Sequence, residues 1–282
     1  MNFIFVNNKS NNGQNNSKIK EILANYGSYY QLIDVFDEKK YEDTLNKITN
    51  NDEIVLIGGD GTLNHFINKL NNRELPCKVY YYSSGTGNDF INDIKNEIKE
   101  NKICLNGYIK NLPYVIVNEK KYYFINGIGY GIDGYCCEVG DKLKAKSNKP
   151  INYTAIAIKG LLFHYKRPNA TITIDGQVKH YKGVWLAPTM KGKYYGGGMM
   201  VAPNQDRHDK DNYVTNVVMH KAGKLKTLMV FPSIFKGEHI KHTEMIDINK
   251  GHHILVEFDR PTSLQVDGET ILGVTRYEVF SK

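Results

Sequence analysis

The stretch IVLIGGDGTLN at residues 54–64 places an apolar run directly before three glycines, an aspartate and a threonine. Four consecutive apolar residues suit a strand that is buried on both faces. The glycines allow a sharp turn into a helix, which the apolar spacing predicts over 63–70. Backbone N–H groups in such a turn, together with a helix N-terminus, favour phosphate. The stretch therefore predicts a strand, a phosphate-binding turn and a helix.

A second glycine-rich turn, SSGTGNDF at residues 83–90, also follows a predicted strand and precedes a helix. Alternating strand and helix patterns from residue 3 onward indicate a parallel α/β sheet covered on both faces. In such sheets the carboxyl ends of the strands share one edge, so both turns are expected there. Neither the GxxxxGK[ST] loop nor the protein-kinase motifs occur in the chain.

The second half of the chain reads differently. Short alternating segments, among them 253–258 and 263–266, are bounded by turn signals such as Asp267-Gly268. This pattern predicts an antiparallel β-sandwich. We expect two domains, a nucleotide-binding α/β domain at 1–118 and a β-sandwich substrate domain at 119–282. The last strand is left open to return to the first domain.

Charge and composition narrow the class of protein. The 282 residues are 41% hydrophobic and carry a net charge of +7. Residues 1–118 hold 13 Lys and Arg against 14 Asp and Glu, so the excess lies in the second half, where 142–167 contains no acid. Four cysteines without a CxxC pair, no long apolar run and no signal-peptide pattern predict a cytoplasmic protein. No basic recognition helix or RNA motif supports nucleic-acid binding.

Together the two turns resemble those of the diacylglycerol kinase and sphingosine kinase family, whose nearest type is the soluble bacterial lipid kinases. Four further segments resemble family motifs in the same order: FVNNKSNNG at 5–13, NGIG at 126–129, YGGGMMVAP at 195–203 and QVDGE at 265–269. The resemblance spans the whole chain. It implies transfer of the ATP γ-phosphate, with Mg²⁺, to a lipid hydroxyl, such as that of diacylglycerol, which gives phosphatidic acid.

The resemblance also implies roles for individual residues. Glu269 matches the proposed general base, which takes the proton of the attacking hydroxyl. Asp60 matches the loop aspartate tied to the metal and water network. A structural Mg²⁺ site matches the Asp211 side chain with the backbone carbonyls of His208 and Tyr213. The expected nucleotide-binding residues are Asn7, Gly58, Gly59, Asp60, Gly61, Thr62, Leu63, Asn64, Gly85, Thr86, Gly87, Asn88, Asp89 and Asp267.

The sequence departs from the family pattern at three positions. Asn8 stands for a proline, His65 for a glutamate and Asn212 for a glycine. Two other functions therefore stay open: a kinase of the NAD kinase type with a soluble substrate, and a non-catalytic relative that binds nucleotide or lipid. The expected partners are a lipid alcohol and, by peripheral contact, the anionic inner face of the membrane. The oligomeric state is open, with a homodimer as one alternative.

Overall fold

The computed structural model describes residues 1–7, 13–85, 88–98, 102–146 and 151–281, without the side chains of 13–16. The chain divides into two compact units, Met1–Leu112 and Pro113–Lys282. The boundary expected after residue 118 stays a prediction, and each unit is described by itself below.

The first unit is built on a five-stranded sheet with the order β2-β1-β3-β4-β5. Strands β1 to β4 are parallel, and the short β5 is antiparallel to β4. The strands are β1 Asn2–Val6, β2 Tyr30–Asp34, β3 Glu53–Gly58, β4 Lys78–Ser83 and β5 Ile103–Cys104. The helices are α1 Gly13–Ala24, α2 Glu38–Lys47, α3 Asp60–Leu70 and α4 Asp89–Ile94.

Burial explains why the central strand reads as a continuous apolar run. Ile54, Val55, Leu56 and Ile57 are each at most 1% exposed. Both faces of β3 are therefore covered, as expected for a parallel sheet between helices. The α2 helix begins where Asp37 accepts a hydrogen bond from the Lys40 N–H, and α3 ends at Asn71 in the left-handed region. The predicted α/β sheet is confirmed.

The second unit contains one hydrogen-bonded network of ten strands. Its order is β13-β12-β11-β8-β14-β15-β6-β7, with β9 paired to β14 and β10 paired to β9. The strands are β6 Tyr114–Val117, β7 Lys120–Tyr123, β8 Gly127–Tyr130, β9 Ala170–Ile174, β10 Gln177–Tyr181, β11 Thr189–Met190, β12 Val214–Met219, β13 Ile246–Gly251, β14 His253–Val266 and β15 Glu269–Phe280. Every pair is antiparallel, which confirms the predicted antiparallel domain.

The long strand β14 joins the β9–β10 pair to the other strands of this network. Its first half pairs with β9 and its second half with β8, while β15 runs beside both. The register with β15 shifts between Glu257 and Leu264, around Pro261, which has no N–H to donate. The sequence predicted two strands at 253–258 and 263–266. In the structure they are one strand with an irregularity. The β14–β15 hairpin therefore pairs with β9 through the first half of β14 and with β8 through its second half.

Helical segments cover part of this sheet. The α5 helix, Ile132–Lys144, follows β8, and α6, Tyr153–Lys159, continues into a π-helical turn at Gly160–His164. The α7 helix, Lys224–Val230, continues into the 3₁₀ segments Phe231–Lys236 and Glu238–Lys241. A buried cluster that includes Trp185, Leu161 and Phe231 packs beneath them. Among the described residues, no helix has both the length and the apolar character needed to cross a bilayer.

Candidate functional site

The two glycine-rich turns touch each other through their backbones. A Cβ added to Gly85 would lie 2.6 Å from the Gly59 Cα, and one added to Gly59 would lie 3.0 Å from the Gly85 Cα. The Ser84 N–H donates to the Gly58 carbonyl at 2.9 Å, and so does the Tyr81 hydroxyl. Only glycine allows this approach. The structure therefore brings the two turns together at the carboxyl ends of β3 and β4.

Asp60 links the start of α3 to the start of α4. Its Oδ2 accepts the Asp89 N–H at 2.9 Å, and its Oδ1 accepts the Phe90 N–H at 3.3 Å. Asp60 begins α3, while Asp89 and Phe90 begin α4, so one carboxylate holds two helix N-termini side by side. Helix N-termini attract anions, and at the start of α4 the Asp60 carboxylate itself is that anion. The carboxylate of Asp60 is thus engaged by backbone and acts first as an organiser of the turns.

The other predicted residues of the first turn pack beneath it. Thr62 is 6% exposed and Asn64 is 5% exposed, and a Cβ on Gly58 would meet Thr62 at 2.4 Å. Leu63 is fully buried. The N-cap of α3 is Gly59, so the helix begins at Asp60, three residues before the start predicted at 63. These side chains shape the turn from below, and backbone groups face the sheet edge.

Two asparagines that lie just after β1 and just before α4 complete this edge of the first unit. Asn7 directly follows β1, whose Val6 pairs with Ile57, so it lies beside the first glycine turn. Asn88 is the N-cap of α4, has a φ of 50° and bonds to the Ser83 hydroxyl. Thr86 and Gly87, also predicted to bind nucleotide, lie outside the described residues.

Lys18 is a residue of this edge that sequence reasoning missed. It lies on α1, and its Nζ donates to the Ser83 carbonyl at 2.5 Å. A cation beside two phosphate-type turns could bind phosphate, a role usually given to the P-loop lysine. The sequence separates Lys18 from the second turn by 65 residues, so only the folded sheet reveals their contact.

His65, one of the departures from the family pattern, has a structural contact. Its Nε2 lies 2.9 Å from the Val35 carbonyl, which requires the proton to be on that nitrogen. Its ring packs against Phe36 with the ring centroids 4.7 Å apart. The side chain thus ties α3 to the end of β2.

In the second unit, Asp267 and Glu269 lie on the tight turn between β14 and β15. Asp267 and Gly268 have φ values of 45° and 95°, as in a two-residue hairpin turn. The Asp267 carboxylate accepts three backbone N–H groups, from Ile125 at 2.7 Å, Asn126 at 3.0 Å and Gly127 at 2.8 Å. These bonds fasten the turn to the start of β8.

Glu269 follows this turn and differs from Asp267 in every respect that matters for chemistry. Its side chain is exposed and makes no hydrogen bond or ion pair with the part of the chain that the structure describes, while its backbone pairs with Val266 of β14. A carboxylate without backbone bonds on a rigid turn can accept a proton from a ligand. Asp267 therefore holds the turn in place, whereas the Glu269 carboxylate stays exposed beside it.

Asp133 is a buried carboxyl in the first turn of α5, four residues after Gly129 of the NGIG segment. It is 7% exposed, and burial raises its pKa from 3.8 to about 6, with the Tyr195 hydroxyl partly opposing the shift. A Cβ on Gly129 would lie 2.2 Å from its Oδ2 and 2.5 Å from Gln265 Nε2. Buried carboxyls with raised pKa values concentrate at functional sites.

The loop at 206–213, predicted to hold a structural metal, is organised by protein contacts. The Tyr213 carbonyl accepts a hydrogen bond from Gln205 Nε2 at 2.9 Å, and the Asn212 side-chain oxygen accepts one from Lys191. Asn212 has a φ of 58°, which explains how it can replace a glycine. Asp211 is exposed, and its N–H donates to Asp209.

Two buried cations lie in or beside this loop: Arg207 belongs to it, and Lys191 contacts Asn212. Lys191 is 6% exposed and Arg207 is 9% exposed. Burial and, to a lesser extent, the Arg207 charge lower the pKa of Lys191 to about 8, while Asp209 opposes this shift. No group of three or more His, Cys, Asp or Glu side chains within the described ranges could hold a metal. These contacts do not favour a divalent ion here, and the site at Asp211, His208 and Tyr213 stays a prediction.

A cavity of about 370 Å³ opens between α5 and the irregular part of β14. Tyr135 and Glu138 line it from α5, Arg260 and Ser263 from β14, and Tyr165 from the end of the π-helical turn. The Tyr165 hydroxyl is buried and makes no hydrogen bond within the described part of the chain. The second unit thus has space and polar groups for a ligand.

Comparison with known families assigns both halves of the chain. The family model described as the diacylglycerol kinase catalytic domain matches residues 2–112. The model described as the YegS C-terminal NAD kinase beta sandwich-like domain matches residues 126–278, which is more than half of the chain. The two models follow each other along the sequence and correspond to the two units.

Individual relatives have low sequence identity. The diacylglycerol kinase of Mycobacterium tuberculosis (strain CDC 1551 / Oshkosh) is 22% identical over 69% of this chain, which spans 63% of that protein's length. The diacylglycerol kinase of Staphylococcus carnosus is 25% identical over 77% of this chain and 69% of its own. A crystal structure of a diacylglycerol kinase from Bacillus anthracis has the same fold, with a TM-score of 0.62 and 20% identity, over 99% of this chain and 93% of its own.

Proposed function

This chain belongs to the diacylglycerol kinase family, and on that premise we propose that it is an ATP-dependent lipid kinase. The reaction transfers the γ-phosphate of ATP to the hydroxyl of a lipid alcohol. Diacylglycerol is the substrate that the names of its relatives suggest, and phosphatidic acid would be the product.

The observation that carries the proposal is the contact between the two glycine turns. Gly59 and Gly85 approach at backbone distance, and Asp60 fixes the N-termini of α3 and α4 beside them. Phosphoryl transfer requires mainly positioning and electrostatic stabilisation of phosphate oxygens. The N–H groups of both turns and the Lys18 ammonium are suited to hold the phosphates of ATP. Mg²⁺, entering with the nucleotide, would offset the phosphate charge.

Glu269 is the proposed general base. Its carboxylate takes the proton of the lipid hydroxyl while the hydroxyl oxygen attacks the γ-phosphorus and ADP leaves with the bonding electron pair. Asp267 does not react, because its oxygens are engaged by three backbone N–H groups. It keeps the turn in place. Asp133 and the cavity beside α5 are candidates for contact with the polar part of the lipid.

The lipid substrate sets where the protein works. We propose a cytoplasmic protein that contacts the anionic inner face of the membrane from the side of the second unit. The excess positive charge lies in the second half of the sequence, as the count of charged residues shows. Each well-placed lysine or arginine contributes about 1 kcal/mol to such an attraction.

The test is a phosphate-transfer assay with labelled ATP and Mg²⁺. The acceptors are diacylglycerol, monoacylglycerol, ceramide, a sphingoid base and a polyprenol, each in mixed micelles, with NAD and glycerol as soluble controls. We expect label in an extractable lipid, most of all with diacylglycerol. Label in NAD or glycerol with none in any lipid would contradict a lipid kinase. Binding of ATP without transfer to any acceptor would indicate a non-catalytic relative.

A further inference from the structure

Two acid-free segments of the second unit lie close together in the fold. Residues 151–174 and 212–237 contain no Asp or Glu and carry seven Lys and Arg. The first segment forms α6 and the π-helical turn, and the second forms α7 and the following 3₁₀ segment. The Lys224 ammonium, at the start of α7, donates to the Leu162 carbonyl of the π-helical turn at 2.7 Å. The two segments therefore meet at the surface of the second unit.

Large apolar side chains project from this region. Phe163 of the π-helical turn is 73% exposed, and Leu225 and Met229 of α7 are 71% and 67% exposed. Leu225 and Met229 are four residues apart and so lie on one face of α7. Phe163 adjoins Leu162, the residue that Lys224 contacts. We call Phe163, Leu225 and Met229 the apolar tip.

The opposite sides of the same segments are buried in the core of the second unit. Leu161 is fully buried and Phe231 is 7% exposed, so the segments are anchored by other residues. The apolar tip is thus not needed to hold them in place. Exposed apolar groups of this size, gathered in one region, are typical of surfaces that bind a membrane or another protein.

Cations surround the tip on several sides. Lys159 and Lys236 are exposed at the ends of α6 and the 3₁₀ segment. The Lys226 ammonium pairs at 2.7 Å with the carboxylate of Glu244, a residue outside the acid-free segments. Beside the tip, Lys166 and Arg260 line the cavity described above together with Glu138, and Arg260 also pairs with Asp259 at 3.5 Å. The charge around the apolar side chains is complementary to an anionic surface.

We propose that the apolar tip inserts into the interface of a lipid bilayer and that the surrounding lysines bind its anionic headgroups. Interfacial segments combine apolar side chains with Lys and Arg in this way. A second copy of the chain fits less well, because a two-fold interface would place this cationic region against itself. The inference rests on the proposed function for its purpose, since a lipid substrate must be reached in a bilayer, but binding can be measured without catalysis.

The experiment measures sedimentation of the full chain with vesicles of phosphatidylcholine alone and with phosphatidylglycerol added. We expect binding to the anionic vesicles that falls as salt is raised, and at least tenfold weaker binding to neutral vesicles. The triple variant F163S/L225S/M229S should bind anionic vesicles at least tenfold more weakly. The matched control Y29S/V178S replaces side chains that are 66% and 56% exposed elsewhere and should bind normally.

A second variant tests the inference even if the triple variant fails to fold. K159Q/K236Q removes two exposed charges and should weaken binding and flatten its salt dependence while the melting temperature stays unchanged. Both variants should phosphorylate a short-chain lipid in micelles at the rate of the unaltered protein. Unchanged vesicle binding in the triple variant would overturn the inference. So would a lipid-free dimer that the triple variant dissociates, since the tip would then bind a second copy.

Failure of the proposed function gives a different pattern. A protein that binds anionic vesicles through the tip but phosphorylates no lipid would leave the surface assignment standing and remove the kinase assignment. A protein that phosphorylates micellar lipid but does not bind vesicles would leave the kinase assignment standing and remove the surface assignment.

Discussion

The two units hold their carboxylates in opposite ways. In the first unit both carboxylate oxygens of Asp60 accept hydrogen bonds from backbone N–H groups, next to the two glycine turns that meet at Gly59 and Gly85. In the second unit Asp267 does the same for a hairpin turn, and this leaves its neighbour Glu269 exposed. The first unit thus offers a rigid backbone surface suited to phosphate. The second offers an exposed glutamate, a buried acid and a cavity.

This difference teaches that similar residues near a site serve different purposes. An aspartate bonded to backbone N–H groups organises, whereas a glutamate without such bonds can exchange a proton. Substitutions should therefore separate cleanly into those that alter chemistry and those that alter geometry. The predictions below use that separation, from the largest expected effect to the smallest.

The largest effect is expected for Glu269→Gln. Loss of the proton acceptor should lower kcat by about 10²–10⁴-fold, while the melting temperature stays unchanged because the exposed side chain makes no hydrogen bond or ion pair within the described structure. Asp267→Asn is the matched comparison, and it should lower stability as well because it weakens the bonds to β8. Full activity of Glu269→Gln would remove it from the chemical step.

Gly85→Ala tests the backbone surface of the first unit. The new Cβ would lie 2.6 Å from the Gly59 Cα, so the two turns must separate. A displacement of this kind should lower kcat/KM for ATP on the order of 100-fold. Gly107→Ala is the control, because a Cβ there meets no heavy atom within 4 Å. Normal ATP kinetics in Gly85→Ala would show that the contact is dispensable.

Asp133→Asn tests the buried acid of the second unit through pH. The folded state raises the pKa of Asp133 from 3.8 to about 6, so ionisation opposes folding and stability falls as pH rises between these values. The variant should be more stable than the unaltered protein at pH 8, by about 3 kcal/mol at most. The difference should vanish near pH 4. Denaturant unfolding across this range measures it, and a difference independent of pH would contradict the assignment.

The smallest effect is expected at the loop 206–213. A structural Mg²⁺ at Asp211 requires that EDTA lower the melting temperature of the nucleotide-free protein. We expect no change, because Lys191 and Arg207 place two buried positive charges beside this loop. Asp211→Asn should likewise leave the melting temperature unaltered. A clear drop with EDTA that Asp211→Asn abolishes would establish the metal site.

Much of the fold could be predicted from local pattern. The apolar run at 54–57 and the glycines after it indicated strand, turn and helix because burial on both faces permits no polar residue. The hairpin turn at Asp267-Gly268 was also local, since both residues need positive φ. The continuity of β14 was missed, because Pro261 and its polar neighbours look like a break in sequence. Helix α5 was missed because its glycines and cysteines weaken the helical pattern.

The candidate site was predicted in composition more than in arrangement. The glycines, Asp60 and Glu269 were identified, but the bonds that distinguish Asp60 from Glu269 join residues far apart in sequence. Asp267, for example, bonds to Ile125, which is 142 positions away. Lys18 and the role of His65 were hidden for the same reason.

By itself, the sequence determined the class of each unit, the two phosphate-type turns and the excess of positive charge in the second half. These depend on local rules: which residues alternate, which can turn, and which carry charge. The tertiary structure alone decided that Gly59 meets Gly85, that Asp133 is buried and that Phe163, Leu225 and Met229 are exposed. Contact and burial depend on what packs against each residue, and those neighbours come from distant parts of the chain.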